Sequence, residues 1–224
     1  MQTVILVCYL TRMTGKKMLD EFLKSATTHK QCSQAFSGWH KGISHYGFWA
    51  VEIIDPDWLY LIRNAQIYLQ DYAYPNYLRA PHITLTACGL MDEAYFSKSH
   101  LAEQVSTLQQ LDIPSFEISL GQLNSFTTAM YFSINDPSHS LSKIRTHLND
   151  IAVDNPSEFY HPHITLGMYR DNFKTHQVVN KIRNFKQKAQ LTIKVTDLVF
   201  CSYETNTLQG PFNIMRRIKL KCSV

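Results

Sequence analysis

Two pairs of side chains carry the chain's clearest chemical capacity: His82 with Thr84, and His163 with Thr165. Each pair sits in the same five-residue string, Pro81-His82-Ile83-Thr84-Leu85 and Pro162-His163-Ile164-Thr165-Leu166. Imidazole has an unperturbed pKa of about 6.5, so it can take or give a proton near neutral pH. Two imidazoles on opposite sides of a substrate can divide the work of breaking a phosphodiester. One removes a proton from water or a ribose hydroxyl, and the other protonates the departing oxygen. Threonine hydroxyls on the same face can hydrogen-bond the non-bridging phosphoryl oxygens and hold phosphorus between the rings. The four together make a compact phosphodiester site that calls for no cofactor and no metal.

Other chemistries fit less well. His161-Pro162-His163 is an H-x-H pair that could ligate a metal, but there is no H-E-x-x-H and no cluster of Asp or Glu around either string. A nucleotidyl-type histidine triad would want another histidine where Thr165 stands. Gly38 to Ser44 lacks the spacing of a glycine-rich phosphate loop. A repeated apolar strand by itself means only a repeated core, yet a core strand does not require His and Thr on its other face in both copies.

The elements that must position these residues follow from periodicity. As a β-strand, each string sends Ile and Leu to one face and His and Thr to the other. Asp55-Pro56 reads as a capped helix start, and Trp58, Leu61, Ile62, Ala65, Leu69 and Tyr72 form its apolar stripe. Asp136-Pro137 repeats the signal ahead of Leu141, Ile144, Leu148 and Ile151. Asp55 and Asp136 are 81 apart, as are His82 and His163, so cap and histidine keep register in an internal repeat. Strands are expected over residues 3–10, 48–54, 116–124, 129–134, 191–202 and 212–220, the last unpaired unless it meets the N-terminal one. Further helices carry Leu101, Val105, Leu108 and Leu111, and Val178, Ile182, Phe185 and Ala189. The expected organisation is a single bilobal domain: an extension over 1–45, repeat lobes over 46–125 and 126–204, and a last strand over 205–224.

Composition bounds the setting. At 224 residues, 45% hydrophobic and 12% aromatic, the chain can bury a substantial core. No run resembles a membrane span or a secretory signal, and five scattered cysteines (Cys8, Cys32, Cys88, Cys201, Cys222) suggest reduced thiols, so the expected location is cytoplasmic. Residues 174–221 carry ten Lys and Arg against Asp197 and Glu204, a segment of +8 in a chain of +4. That polarity suits an anionic partner such as a nucleotide or RNA, and equally a solvated helix face with a basic strand.

The paired His82-Ile83-Thr84 and His163-Ile164-Thr165, each followed by leucine within an internal repeat, resemble the 2H phosphoesterase superfamily. That superfamily includes the bacterial 2′-5′ RNA ligase and RNA 2′,3′-cyclic phosphodiesterase group. The resemblance covers about residues 46–204. It implies an α+β fold of two pseudo-symmetric lobes, with antiparallel sheets facing a central cleft and helices outside. It also implies metal-independent hydrolysis or transesterification of cyclic or 2′-linked nucleotide phosphates, with His82 and His163 as acid and base. Its division of labour suggests His163 as base and His82 as acid. The expected partner is an RNA end or a small 2′-linked or cyclic oligonucleotide, bound by a monomer with no membrane attachment. A cyclic oligonucleotide signal as substrate, or a non-catalytic nucleotide-binding module, are the alternatives.

Residues that could read the substrate lie around the motifs. Aligning the halves at 81 puts Tyr131 on the cleft face, where it could stack on a base. Arg170 beyond the second motif and Arg79 before the first could each neutralise phosphate, with Arg170 preferred because Arg79 has odd parity relative to His82. Trp39, His40, His45 and Tyr46 crowd one glycine-punctuated stretch, which could form a lid or base pocket.

Overall fold

Strand alternation and apolar helix stripes build one antiparallel eight-stranded sheet whose centre is the two histidine strands. The computed structural model describes residues 15–31, 38–151, 154, 160–187 and 191–222; the strand expected over 3–10 lies outside them. The elements in chain order are α1 (Gly15–Phe22), β1 (His45–Glu52), α2 (Pro56–Tyr68), β2 (His82–Leu90), α3 (Lys98–Gln110), β3 (Phe116–Ser125), β4 (Ala129–Asn135), α4 (Ser140–Asn149), β5 (His163–Met168), α5 (Thr175–Arg183), β6 (Thr192–Val195), β7 (Asp197–Glu204) and β8 (Phe212–Lys219). The strand order is β6-β3-β4-β5-β2-β1-β7-β8. The sheet curls so that its two ends approach: Pro114, just before β3, bridges Lys221, just after β8.

One face of the sheet holds the main core. Trp49, Val51, Ile83, Leu85, Phe132, Ile134, Ile164 and Leu166 point there, against Trp58, Ile62, Ala65 and Leu69 of α2 and Leu141, Ile144 and Leu148 of α4. Gln104 of α3 stitches this face together, accepting from the Trp49 indole at 2.8 Å and donating to the Leu148 carbonyl at 3.1 Å. The helix α2 begins as its sequence dictates, with Asp55 accepting from the backbone N–H of Asp57 and Trp58 and Pro56 in the first turn.

The structure departs from the sequence expectation at several points. The strand expected over 48–54 is β1, which starts three residues early, at His45. The helix expected from Asp136-Pro137, α4, begins at Ser140, because His139 takes a left-handed turn at φ 56°; Asp136 still accepts from the backbone N–H of Leu141 at 2.8 Å. The strand expected over 191–202 is two strands, β6 beside β3 and β7 beside β1. The last strand, β8, pairs with β7.

The sequence repeats and the two halves of the sheet are different partitions of the chain. β3 closes the first repeat but pairs with β4, and β7 closes the second but pairs with β1. Each half therefore borrows a strand from the other repeat. Among the described residues no helix is long and apolar enough to cross a membrane. Cys88 and Cys201 are buried free thiols and Cys222 is exposed; Cys8 and Cys32 lie outside the described residues.

Candidate active site

The two halves meet along a seam of one backbone pair, Ile83 opposite Ile164. Both isoleucines are fully buried on the core face. Their neighbours His82, Thr84, His163 and Thr165 therefore all point to the opposite face, related by an approximate two-fold axis through the seam. The strands splay away from that single pair, and side chains replace the missing ladder bonds. Tyr160 donates to the Thr84 carbonyl at 2.8 Å and Arg145 to the Leu85 carbonyl at 2.7 Å. Tyr77 donates to the Thr165 carbonyl at 3.3 Å, and Gln66 to the Leu166 carbonyl at 3.2 Å.

Both imidazoles are anchored in the same way. His82 Nδ1 bonds the Ala80 carbonyl at 2.8 Å, and His163 Nδ1 bonds the His161 carbonyl at 2.7 Å. A carbonyl only accepts, so Nδ1 carries a proton in each ring, and in the neutral ring Nε2 keeps its lone pair. Aromatic rings flank each imidazole: Phe48 and Phe212 at 5.3 and 5.1 Å from His82, and Phe126 and Tyr131 at 5.0 and 5.2 Å from His163. Burial among these rings lowers the pKa of His82 to about 4, with the Arg79 cation and His163 adding to the fall against the bond to Ala80. Burial also lowers that of His163, against its bond to His161. Both rings are thus held as neutral bases in the free protein. Neither threonine hydroxyl has a hydrogen-bond partner recorded among the described residues, so both remain for a substrate.

The remaining residues expected from sequence divide sharply. Tyr131 does lie on the cleft face, opposite Thr165, but it is fully buried. It stacks on Phe126 at 4.1 Å and packs under Met18 of α1, so it buttresses His163 and has no face left for a base. Arg170 is exposed beyond the end of β5, seven residues along from His163, roughly 20 Å at strand rise. Tyr46 lines the cleft face of β1, stacked on Tyr203 at 5.2 Å and donating to Asp154 at 2.8 Å, with Trp39 edge-on at 5.6 Å. Burial, with Tyr203 and Asp154 beside it, holds the Tyr46 phenol protonated, well above its ordinary range. His45 is exposed and bonds Ser44, while His40 accepts from the Gly42 N–H within its own turn. The basic segment brings Arg217 to the cleft face of the sheet, opposite Val199 and beside Glu52, the register partner of His82, but that cation is paired there. Arg217 pairs with Glu52 and Asp197, Lys221 with Asp112, and Lys181 lies over Tyr68 on the helical face.

Three residues that face the histidines were not singled out in the sequence: Phe48, Phe126 and Phe212. They come from positions that are not equivalent in the repeat, so alignment of the halves gave no signal. Arg79, ranked behind Arg170, is the arginine that reaches the site. It stacks over Tyr203 at 4.2 Å, its Nε donates to the Gly210 carbonyl at 3.2 Å, and it bears electrostatically on His82. His161 lies beside His163, the rings 6.3 Å apart and nearly parallel; burial and that neighbour lower its pKa to about 4. Among the described residues no group of three or more His, Cys, Asp and Glu is placed to hold a metal.

Comparison with known proteins places this geometry. The family model described as the 2′-5′ RNA ligase superfamily matches residues 55–207, a span that contains both motifs. E. coli LigT complexed with ATP is similar in fold, at 15% identity and TM-score 0.51, over 80% of this chain and 99% of that one. E. coli LigT complexed with 3′-AMP gives 15% and 0.54, over 79% and 98%. TT0787 of Thermus thermophilus gives 12% and 0.54, over 80% and 100%. No curated protein matches the chain by sequence.

Proposed function

The chain belongs to the 2′-5′ RNA ligase superfamily, a family of 2H phosphoesterases, and from that premise we propose that it is a metal-independent phosphodiesterase opening 2′,3′-cyclic phosphate RNA ends or cleaving 2′-5′-linked oligonucleotides. The observation that carries this reading is the matched anchoring of His82 and His163, each Nδ1 tied to the carbonyl two residues upstream. It leaves two Nε2 atoms for one phosphodiester.

In this reading one imidazole takes a proton from the attacking water as its oxygen bonds phosphorus. The bond from phosphorus to one ribose oxygen breaks, and the second, protonated imidazole supplies the proton to that oxygen. Exchange with solvent resets both rings. Thr84 and Thr165 donate to the non-bridging oxygens and keep phosphorus between the rings. The acid must be charged before it acts, and a bound phosphate anion favours that by raising the pKa of a neighbouring imidazole. Arg79 opposes a proton on His82, and among the described residues no such cation bears on His163. This supports His82 as base and His163 as acid, the reverse of the assignment that the family resemblance suggested.

The test is a substrate panel of cyclic-phosphate-ended RNA and 2′-5′ oligoadenylate in EDTA. Turnover should survive chelation and fall by roughly 10²- to 10⁴-fold in His82→Ala and in His163→Ala. A folded protein that turns over neither substrate overturns the reading; salt-sensitive binding without product would mark a nucleotide-binding module instead.

A further inference from the structure

Among the described residues, the two sides of the cleft differ in charge at Arg79. In the other repeat its position is taken by Tyr160, whose hydroxyl is already spent on the Thr84 carbonyl. The cation of that half, Arg145, lies against the Tyr160 ring and is committed to the Leu85 carbonyl. Arg79 by contrast is fixed at its base and open at its tip. Its Nε is held by the Gly210 carbonyl, and its plane rests on Tyr203, which is itself stacked on Tyr46. Among the described residues no carboxylate lies within ion-pair distance of it, and no acceptor meets either Nη. A guanidinium placed in this way is a preorganised fork for phosphate oxygens.

Its position decides which phosphate. Tyr203 stands on β7, two strands across from β2. Phe48 stands between Tyr203 and His82, its ring centroid 5.8 Å from the one and 5.3 Å from the other, so a cation held over Tyr203 flanks the phosphorus that sits between His82 and His163. The geometry points to Arg79 as the clamp for a second phosphate flanking the scissile one, so the substrate is an oligonucleotide end or a nucleotide with a further phosphate, entering with that phosphate on the His82 side. This rests on the phosphodiesterase reading for its chemistry but not for its binding test.

Binding of adenosine 3′,5′-bisphosphate and of adenosine 3′-monophosphate should be compared by calorimetry, for the intact protein, Arg79→Gln and Arg79→Lys. The unmodified protein should prefer the bisphosphate by roughly 10- to 100-fold, the scale of a charge-assisted contact. Arg79→Gln should cut that preference to a few-fold at most, and Arg79→Lys should restore part of it. With a short single-stranded RNA, Arg79→Gln should also lower the slope of log K against log salt by about 0.7. Equal binding of both ligands by the unmodified protein overturns the proposal without any variant. So does an equal loss on both ligands in Arg79→Gln, which would make Arg79 a positioning residue for His82. Preference for the bisphosphate with no turnover would sink the phosphodiesterase reading alone; turnover without that preference would sink the clamp alone.

Discussion

Tyr160 donates its hydroxyl to the carbonyl of Thr84, and from the opposite side Tyr77 donates to the carbonyl of Thr165. Each motif strand is thus held by a tyrosine from the approach to the other. The two strands share only the Ile83–Ile164 backbone pair, so these bonds do what a continued ladder would otherwise do, while leaving the strands splayed around a cleft. A buried carbonyl stripped of its donor costs about 1–3 kcal/mol. Tyr160→Phe, which removes the shorter bond, should lower stability by that amount in a urea titration, and Tyr77→Phe by less. If both variants unfold at the same urea concentration as the unmodified protein, water or the backbone already satisfies these carbonyls and the clamp is incidental.

The assignment of base and acid can be separated by the leaving group. A p-nitrophenyl phosphodiester departs without protonation, so loss of the acid should hardly matter on that substrate. His163→Ala should then regain most of the activity that it loses on an RNA cyclic phosphate, whereas His82→Ala should stay roughly 10²-fold or more impaired on both. Rescue of His82→Ala instead would restore the original assignment, with His163 as base.

Much of this site was legible in the sequence, and the reasons for the gaps are physical. Strand alternation fixed the faces of Ile83, Ile164 and the four polar residues, because parity within a strand is independent of tertiary packing. The shared spacing of 81 correctly related His82 to His163, but it could not tell that β3 and β7 are exchanged between halves. A strand's alternation reads the same whichever neighbour it pairs with. Arg79 was set behind Arg170 by a parity rule that does not reach it, since β2 starts at His82 and residue 79 precedes the strand. Tyr131 was placed on the correct face, and only the packing of Met18 from α1 and Phe126 against it reveals that it is covered.

The aromatic flanks should set the pH at which the base works. Phe212 enters from the edge strand β8 and sits edge-on against His82 at 5.1 Å. Replacing it with alanine hydrates the imidazole and relieves the main cause of its low pKa. A base is active when deprotonated, so the acidic limb of the pH profile for kcat/KM should move up from about 4 towards 6.5 in Phe212→Ala. Phe126→Ala should leave that limb where it is, because Phe126 packs on His163. An acidic limb unmoved by Phe212→Ala would show that another group governs it.

The same burial makes the fold sensitive to acid. His82 is 9% exposed and titrates at about 4 in the folded chain, against 6.5 for the unperturbed group. Between those values the unfolded chain binds a proton that the folded chain refuses, so stability from this residue is complete above 6.5 and drains away as pH falls towards 4. A shift of this size corresponds to about 3 kcal/mol, accumulating over the whole window. His161 and His163 are lowered as well and act in the same direction. Urea midpoints measured from about pH 7.5 to about pH 4.5 should therefore decline steeply below about 6.5. His82→Asn keeps a polar side chain of similar reach but cannot titrate there, and should flatten the decline by about one proton's worth, near 1.4 kcal/mol per pH unit at its steepest. Parallel curves for the unmodified protein and His82→Asn would mean that His82 takes up its proton at the same pH folded and unfolded, and the neutral state that burial imposes on it would fall with them.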